Sequence, residues 1–278
     1  MAVKLEVVRQ ALADRYDVEQ PLGHGGMCTV FRGRDKPRGA DVAIKVLRPE
    51  FATSLLADRF HQEIEFLASL EHPNILPLLE SDEAGALVYY VMPFATEGSL
   101  KERLARERRL SLDDALAVTR DVAAALDFAH GENVMHRDIK PGNIMFVGGR
   151  ATICDFGVAR AIVKAGGERL STSGLVVGTP AYMSPEQASG ASDLGHRSDI
   201  YALACLLYEM LAGEPPFTGR TAQAIMARHV KERPPSLRVV RPDVPQHVED
   251  AIRRALAKAP EQRQASAGEF VKGLMGAG

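Results

Sequence analysis

Three features of this sequence predict an α+β chain in two lobes, an antiparallel sheet lobe with one main helix followed by a larger, mainly α-helical lobe. Short β-like apolar runs crowd residues 16–91, helical periodicity takes over after Gly98, and Met92-Pro93-Phe94-Ala95 stands at the change as a natural joint. The expected organisation is an amphipathic leader over 1–15, a sheet lobe over 16–91, a hinge at 92–95, a helical lobe over 96–272 and a tail at 273–278.

Each element has a local reason. Leu5, Val8 and Leu12 recur at helical spacing and predict a short surface helix in the leader. Strands are predicted over 18–22, 29–34, 42–47, 75–79 and 87–91, where β-branched and aliphatic residues run between turn-forming ones. One helix interrupts them over about 55–70, with Phe60, Ile64 and Leu67 on one face, and stops before His72-Pro73 because proline disfavours helix ahead of it. In the second lobe the clearest helix covers 111–130, opened by Ser111 and Asp114 as a capping box. A buried helix over 198–211, amphipathic helices over 221–230 and 246–258, and a last short one opened by Ser266 and Glu269 follow.

Composition excludes several classes. With 278 residues and 46% hydrophobic content the chain can fill a native-sized core, so disorder throughout is excluded. Its 34 basic and 36 acidic residues leave a net charge of -2, without the basic field of a nucleic-acid binder. Cys28, Cys154 and Cys205 are scattered and odd in number, which suits a reducing compartment and predicts a cytoplasmic location. The most apolar stretch, 200–211, carries Glu209 and ends at Gly213, too short to span a bilayer; no membrane segment is expected within this chain, and a tether beyond Gly278 stays open.

The chemistry lies in four stretches. Gly23-His24-Gly25-Gly26-Met27-Cys28 sits between two predicted strands, where backbone N–H groups can approach phosphate oxygens, although alone such a hairpin reads equally as a turn. Val42-Ala43-Ile44-Lys45 places an ammonium at the end of a buried run, which is costly unless an anion pairs with it. Glu63 shares the inward face of Phe60 and Leu67 and is the candidate partner. In His136-Arg137-Asp138-Ile139-Lys140-Pro141-Gly142-Asn143, followed by Asp155-Phe156-Gly157, a carboxylate, a carboxamide and a second carboxylate can place a base and a hard-metal site around one phosphate.

Together with Ser184-Pro185-Glu186, these motifs resemble the protein-kinase signature in order and spacing, over residues 16 to 272. Lys140-Pro141 and Gly178-Thr179-Pro180-Ala181-Tyr182-Met183 look like the serine/threonine branch, in the wording of bacterial eukaryotic-like kinases. The resemblance implies a two-lobed protein-kinase fold and a phosphotransferase of signal transduction that moves the γ-phosphate of ATP to protein hydroxyls. It implies Asp138 as the base, Lys45 with Glu63 on the nucleotide phosphates, Lys140 on the transferring group and Thr179 beside both. Asn143 and Asp155 would hold magnesium, with manganese as a substitute. Leu22, Gly23, Gly25, Val30, Ala43, Met92, Phe94, Ala95 and Met145 would surround the nucleotide. Cys28, in place of a third loop glycine, and Cys154 would border that pocket as small filling residues. Leu67, Leu78, His136 and Phe156 would stack as a spine anchored by Asp199, and Glu186 would pair with Arg263.

Regulation is implied by Arg137, a cation beside Asp138 that a phosphate could satisfy. Arg160 and Arg59 would complete the pocket, and Ser171, Thr172 and Ser173 are the candidate sites, modified in trans within a homodimer. A pseudokinase scaffold that binds nucleotide without turnover is the alternative, opposed by the joint presence of Lys45, Glu63, Asp138, Asn143 and Asp155.

Overall fold

A computed structural model of the chain describes residues 3–24, 28–49, 64, 67–156, 179–191 and 193–276. They divide into two compact units, one drawn from Met1–Glu71 and Ile75–Ala95, the other from His72–Asn74, Thr96–Phe156 and Gly178–Gly278.

The first unit holds helix α1 (Leu5–Ala11) and strands β1 (Tyr16–His24), β2 (Cys28–Asp35), β3 (Ala40–Leu47), β4 (Glu80–Ala84) and β5 (Leu87–Pro93). They form one antiparallel sheet in the order β1-β2-β3-β5-β4. Pairing partners share a face, so the register sorts the side chains. Phe31 opposes Ile44, which opposes Val91, and Thr29 opposes Val46, which opposes Tyr89; these line one face. Val3, Val8 and Leu12 of the leader join that cluster as buried residues, so α1 roofs the apolar face of the sheet. Each aliphatic side chain so buried is worth about 1.5–3 kcal/mol.

The strand expected over 75–79 is absent; β4 lies just beyond it, over Glu80–Ala84. Pro77 removes a ladder donor from the apolar run, and Ile75 is instead buried outside the named strands. β4 pairs with β5 alone at the sheet edge, so backbone bonds hold a polar sequence there. Most of the helix expected over 55–70 lies outside the described residues; Ile64, Leu67 and Ala68 are helical.

The second unit contains helices α2 (Leu100–Glu107) and α3 (Leu112–Gly131), the hairpin β6 (Ile144–Val147) and β7 (Arg150–Ile153), and helices α4 (Pro185–Ala188), α5 (Arg197–Ala212), α6 (Ala222–Lys231), α7 (Leu237–Val240), α8 (Gln246–Ala255) and α9 (Ala267–Leu274). Helix α5 is buried along nearly its whole length, as an apolar run with little amphipathicity requires, and α3 packs against it, β7 and α9. Gly213 ends α5 at φ 92, a left-handed cap in which an added Cβ would meet the Arg108 carbonyl at 3.3 Å. Ser111 caps α3 by accepting from the Asp114 N–H, but Asp114 turns its carboxylate to Arg103, so only half of the expected box forms. Ser266 and Glu269 behave alike, because Glu269 pairs with Lys272. A full reciprocal box appears at Ser99 and Glu102, ahead of α2. Among the described residues no helix is long and apolar enough to cross a membrane.

Candidate active site

The loop of residues 134–143 carries Asp138, and its conformation is not one that the local sequence would choose. Arg137 has φ 68, a left-handed value that costs a residue with a Cβ and persists only when its surroundings impose it. Asp199, on the first turn of α5, imposes it. Its carboxylate accepts from the Arg137 N–H at 2.7 Å on one oxygen, and on the other from the His136 N–H at 2.8 Å and from His130 Nε2 at 2.8 Å. Burial pushes this carboxyl up, but the His130 bond and the backbone N–H bonds outweigh it and hold it below its ordinary value. Asp199 is the expected anchor, reaching the loop from about sixty residues downstream.

His136 locks the next turn. Its Nδ1 accepts from the Asp138 N–H at 3.2 Å and its Nε2 meets the Cys154 carbonyl at 3.0 Å, a pattern that one Nε2–H tautomer satisfies. Its ring meets Phe156 edge-on at 4.8 Å, half of the expected spine; Leu67 and Leu78 belong to the other unit.

Around Asp138 three groups converge. Lys140 Nζ donates to Oδ2 at 2.5 Å, and Asn143 Nδ2 donates to the Asp138 carbonyl at 2.9 Å and to Oδ2 at 3.3 Å. Thr179 reaches Oδ1 at 3.3 Å, through its backbone N–H rather than its hydroxyl. The carboxylate is therefore aimed from both oxygens, which is what a group that must orient a hydroxyl requires.

The β6–β7 register brings the second carboxylate in. Ile144 pairs with Ile153, so the residues just outside that pair are Asn143 and Cys154, joined by the Cys154 N–H to the Asn143 carbonyl at 2.9 Å. Asp155 follows immediately, with a left-handed φ of 65. Asn143 spends its amide nitrogen on Asp138, and the side chains of Asn143 and Asp155 both carry oxygens of the hard donor type. Two hard oxygen donors of this kind suit a magnesium-like cation. Met145 sits on β6 opposite Thr152, half-buried.

In the first unit the sheet face opposite α1 gathers the remaining expected residues. Val30 opposes Lys45, which opposes Tyr90, and Ala43 opposes Met92, so Val30, Ala43, Lys45 and Met92 share one face. Lys45 is only 8% exposed. Gly23 pairs with Val30 beside a register break, and Leu22, within that break, keeps an exposed side chain. The Phe94 N–H donates to the Asp41 carbonyl at 3.1 Å, Arg32 lies over the Phe94 ring at 4.9 Å, and Ala95 is half-buried. Cys28 and Cys154 are buried thiols. Gly25, Arg59, Glu63, Arg160, Ser171, Thr172 and Ser173 lie outside the described residues.

Downstream of Thr179, a single turn at Pro180–Tyr182 rests on supports that sequence reasoning missed. Tyr182 donates its hydroxyl to Glu209 on α5, and burial raises the pKa of both groups. His229, fully buried on α6, is joined by Tyr201 at 2.9 Å, and burial holds its pKa at about 4, with Lys258 pushing the same way. Gln187 donates to the Arg137 carbonyl at 2.9 Å, a second hold on the strained loop. Only Gln187 left a local trace, as the third residue after the cap Ser184. Glu186 and Arg263 form the expected pair, at 2.7 and 2.8 Å in fork geometry. Arg263 spends its other three N–H donors on the carbonyls of Ala257, Arg197 and Lys258, so a buried guanidinium has no donor left over.

A two-unit chain with an antiparallel sheet in one unit, helices in the other and this loop of carboxylate, lysine and carboxamide has the architecture of the protein-kinase class. The chain belongs to the protein kinase domain family, whose model matches residues 16–273. It is 40% identical over 93% of its length to serine/threonine-protein kinase PknB of Mycobacterium tuberculosis. It is 36% identical over 93% and 95% of its length to probable serine/threonine-protein kinases of Streptomyces coelicolor and Lactococcus lactis. The chain spans about two fifths of the length of these relatives. Members of the family use ATP with a divalent metal.

Proposed function

We propose that this chain is an ATP-dependent serine/threonine protein kinase domain that transfers the γ-phosphate of ATP to hydroxyls of proteins. The observation that carries the proposal is the convergence of Lys140, Asn143 and the Thr179 N–H on Asp138. The names of the relatives support the hydroxyl class of substrate.

Asp138 accepts the hydrogen bond of the incoming hydroxyl and turns its oxygen toward the phosphorus, with the two oxygens of Asp138 steadied by Lys140 and Thr179. Lys140 then offsets charge on the transferring group. Lys45, on the face with Val30 and Ala43, orients the nucleotide phosphates, and Leu22, Gly23, Met92, Phe94 and Ala95 are the residues of the first unit proposed to contact the base and sugar. A bound magnesium ion supplies positive charge to the phosphate oxygens; Asn143 and Asp155 are the residues proposed to hold it, with manganese as a substitute. Phosphorylation of Ser171, Thr172 or Ser173 in trans by a second copy is the proposed activating step, with Arg137 and Arg160 as the cations that receive the phosphate.

The test is incubation with ATP and magnesium beside Asp138→Asn, reading transfer to a generic protein substrate and mapping phosphosites. Wild type is expected to transfer, and the variant to lose on the order of 10²–10⁴-fold in rate. A folded wild type that binds ATP and transfers nothing would put a nucleotide-binding scaffold in its place.

A further inference from the structure

Helix α1 and Val3 just before it lie ahead of the residues that match the kinase family, yet together they are fastened to both arms of the β1–β2 hairpin. On β1 the pairing skips between Val18 and Gln20, and such a bulge leaves carbonyls without ladder partners. Arg9 takes them up, its Nε donating to the Val18 carbonyl at 2.7 Å and its Nη2 to the Glu19 carbonyl. On β2 the Val3 N–H donates to Thr29 Oγ1 at 3.4 Å, and Thr29 is fully buried. Val8 and Leu12 seat the helix between these ties in the sheet core.

The two ties act at informative positions. Thr29 pairs with His24 and precedes Val30, which pairs with Gly23 on one side and Lys45 on the other. Side chains alternate along a strand, so the Thr29 hydroxyl faces α1 while Val30 faces the opposite side with Lys45. A shift of Thr29 must carry Val30 and Gly23 with it.

We propose that the leader, Val3 together with α1, is a positioning element for nucleotide: by holding Thr29 from one arm through Val3 and the β1 bulge from the other through Arg9, it sets where Gly23, Val30 and Lys45 meet ATP. The inference rests on the assignment of that sheet face to ATP. Its chemistry is specific to the hydroxyl of Thr29 and the guanidinium of Arg9, and neither residue touches substrate.

The experiment compares the whole chain with Thr29→Val, Arg9→Met and the rescue variant Thr29→Ser. ATP–magnesium affinity is read by calorimetry, steady-state kinetics are taken against ATP and against protein substrate, and circular dichroism confirms the fold at assay temperature. Thr29→Val and Arg9→Met are each expected to raise KM for ATP and the ATP dissociation constant about 3- to 10-fold, the span that the net worth of one hydrogen bond allows. Their kcat and KM for protein substrate should stay within twofold, the pattern of lost uniform binding, and Thr29→Ser should restore ATP binding. Unchanged ATP affinity in both folded variants would overturn the proposal, as would a joint loss in every parameter that Thr29→Ser leaves unrepaired. A wild type that binds ATP but transfers nothing would sink the kinase assignment alone, because the affinity comparison still reports on α1. A wild type that binds no ATP would remove both.

Discussion

The two units place their chemistry by different means. In the first, Val30, Ala43, Lys45 and Met92 sit on one face because β2, β3 and β5 pair in a fixed register, and each occupies an ordinary strand conformation. In the second, Asp138 and Asp155 sit on loops, beside or at left-handed residues that would not adopt these angles unaided. Loop chemistry therefore depends on a few buried ionic anchors, Asp199 and the Glu186–Arg263 pair, whereas strand chemistry is spread over many small contacts. The difference teaches where a single substitution should be damaging. Loss of an anchor should be felt far from its own position, and loss of a sheet contact only near it.

The largest effect is expected at Arg263. Replacing it with methionine strands a carboxylate that is only 13% exposed and frees three carbonyls at once. Breaking one side of a buried pair costs about 3–5 kcal/mol. Chemical denaturation of Arg263→Met should show that loss near neutral pH, and its pH dependence carries a sign. Burial pushes the Glu186 carboxyl up, but the bonds from Arg263 and Ser198 outweigh this and hold it below the usual carboxylate value. The unfolded chain thus binds the proton first, and the pair's contribution is present above about pH 4.3 and lost as pH falls through the lowered folded value. Without Arg263, burial is opposed only by the Ser198 bond and the backbone, so the folded state gains proton affinity and the deficit should narrow as the solution is acidified. A deficit that is constant from pH 7 to pH 4 would show that the ion pair is not what stabilises this region.

Asp199→Asn should rank second in stability and first in reach. An asparagine offers one acceptor oxygen where the carboxylate meets two backbone N–H groups and His130, and its amide would confront one of those donors. The expected cost is about 1.5–3 kcal/mol, the value of a hydrogen bond to a charged group. Because Arg137 and Asp138 would drift together, kcat should fall by roughly 10- to 100-fold under conditions where the variant is folded. Unaltered kcat would mean that the loop holds its shape without the anchor, and the contrast between the units would fail.

Legibility in the sequence follows the same division. The loop residues were readable because their chemistry is dense: a base, a lysine, a carboxamide and a second carboxylate within twenty positions, 136–155. Lys45 was readable at the end of the buried run 42–45, whereas Val30 and Ala43 came only with the protein-kinase resemblance, and it is the strand register that puts them on one face with Lys45. What stayed hidden were features held by long-range or backbone interactions. β4 is polar and was displaced from its apolar neighbour because an edge strand needs no core face on its own account. The β6–β7 hairpin has strands of four residues, too short for a period to register. α2 was missed although Ser99 and Glu102 spell its cap. Tyr182, Glu209, Tyr201 and His229 meet across 27 and 28 positions, and no local pattern announces such contacts.

The smallest effect, and the sharpest control, is expected at Arg32 in the sheet. It lies about one-third exposed, within 3.1 Å of Glu19 on β1 and 2.8 Å of Asp41 on β3, with its guanidinium over Phe94. On paper it bridges three segments next to the expected nucleotide hinge. Water screens its pairs, however, and exposed ion pairs are usually worth about 0–1 kcal/mol, with a cation–π contact adding about 0.5–1 kcal/mol at such a site. The strand register that aligns Ala43 with Met92 does not depend on it, because backbone bonds already join β2, β3 and β5. Arg32→Ala should therefore cost about 0.5–2 kcal/mol, with kcat unchanged and the loss shrinking further in high salt. If thermal denaturation and kinetics instead showed Arg32→Ala to be as harmful as Asp199→Asn, the sheet would have to be regarded as anchored through single residues in the same way as the loop, and the proposed division between register and anchor would not hold.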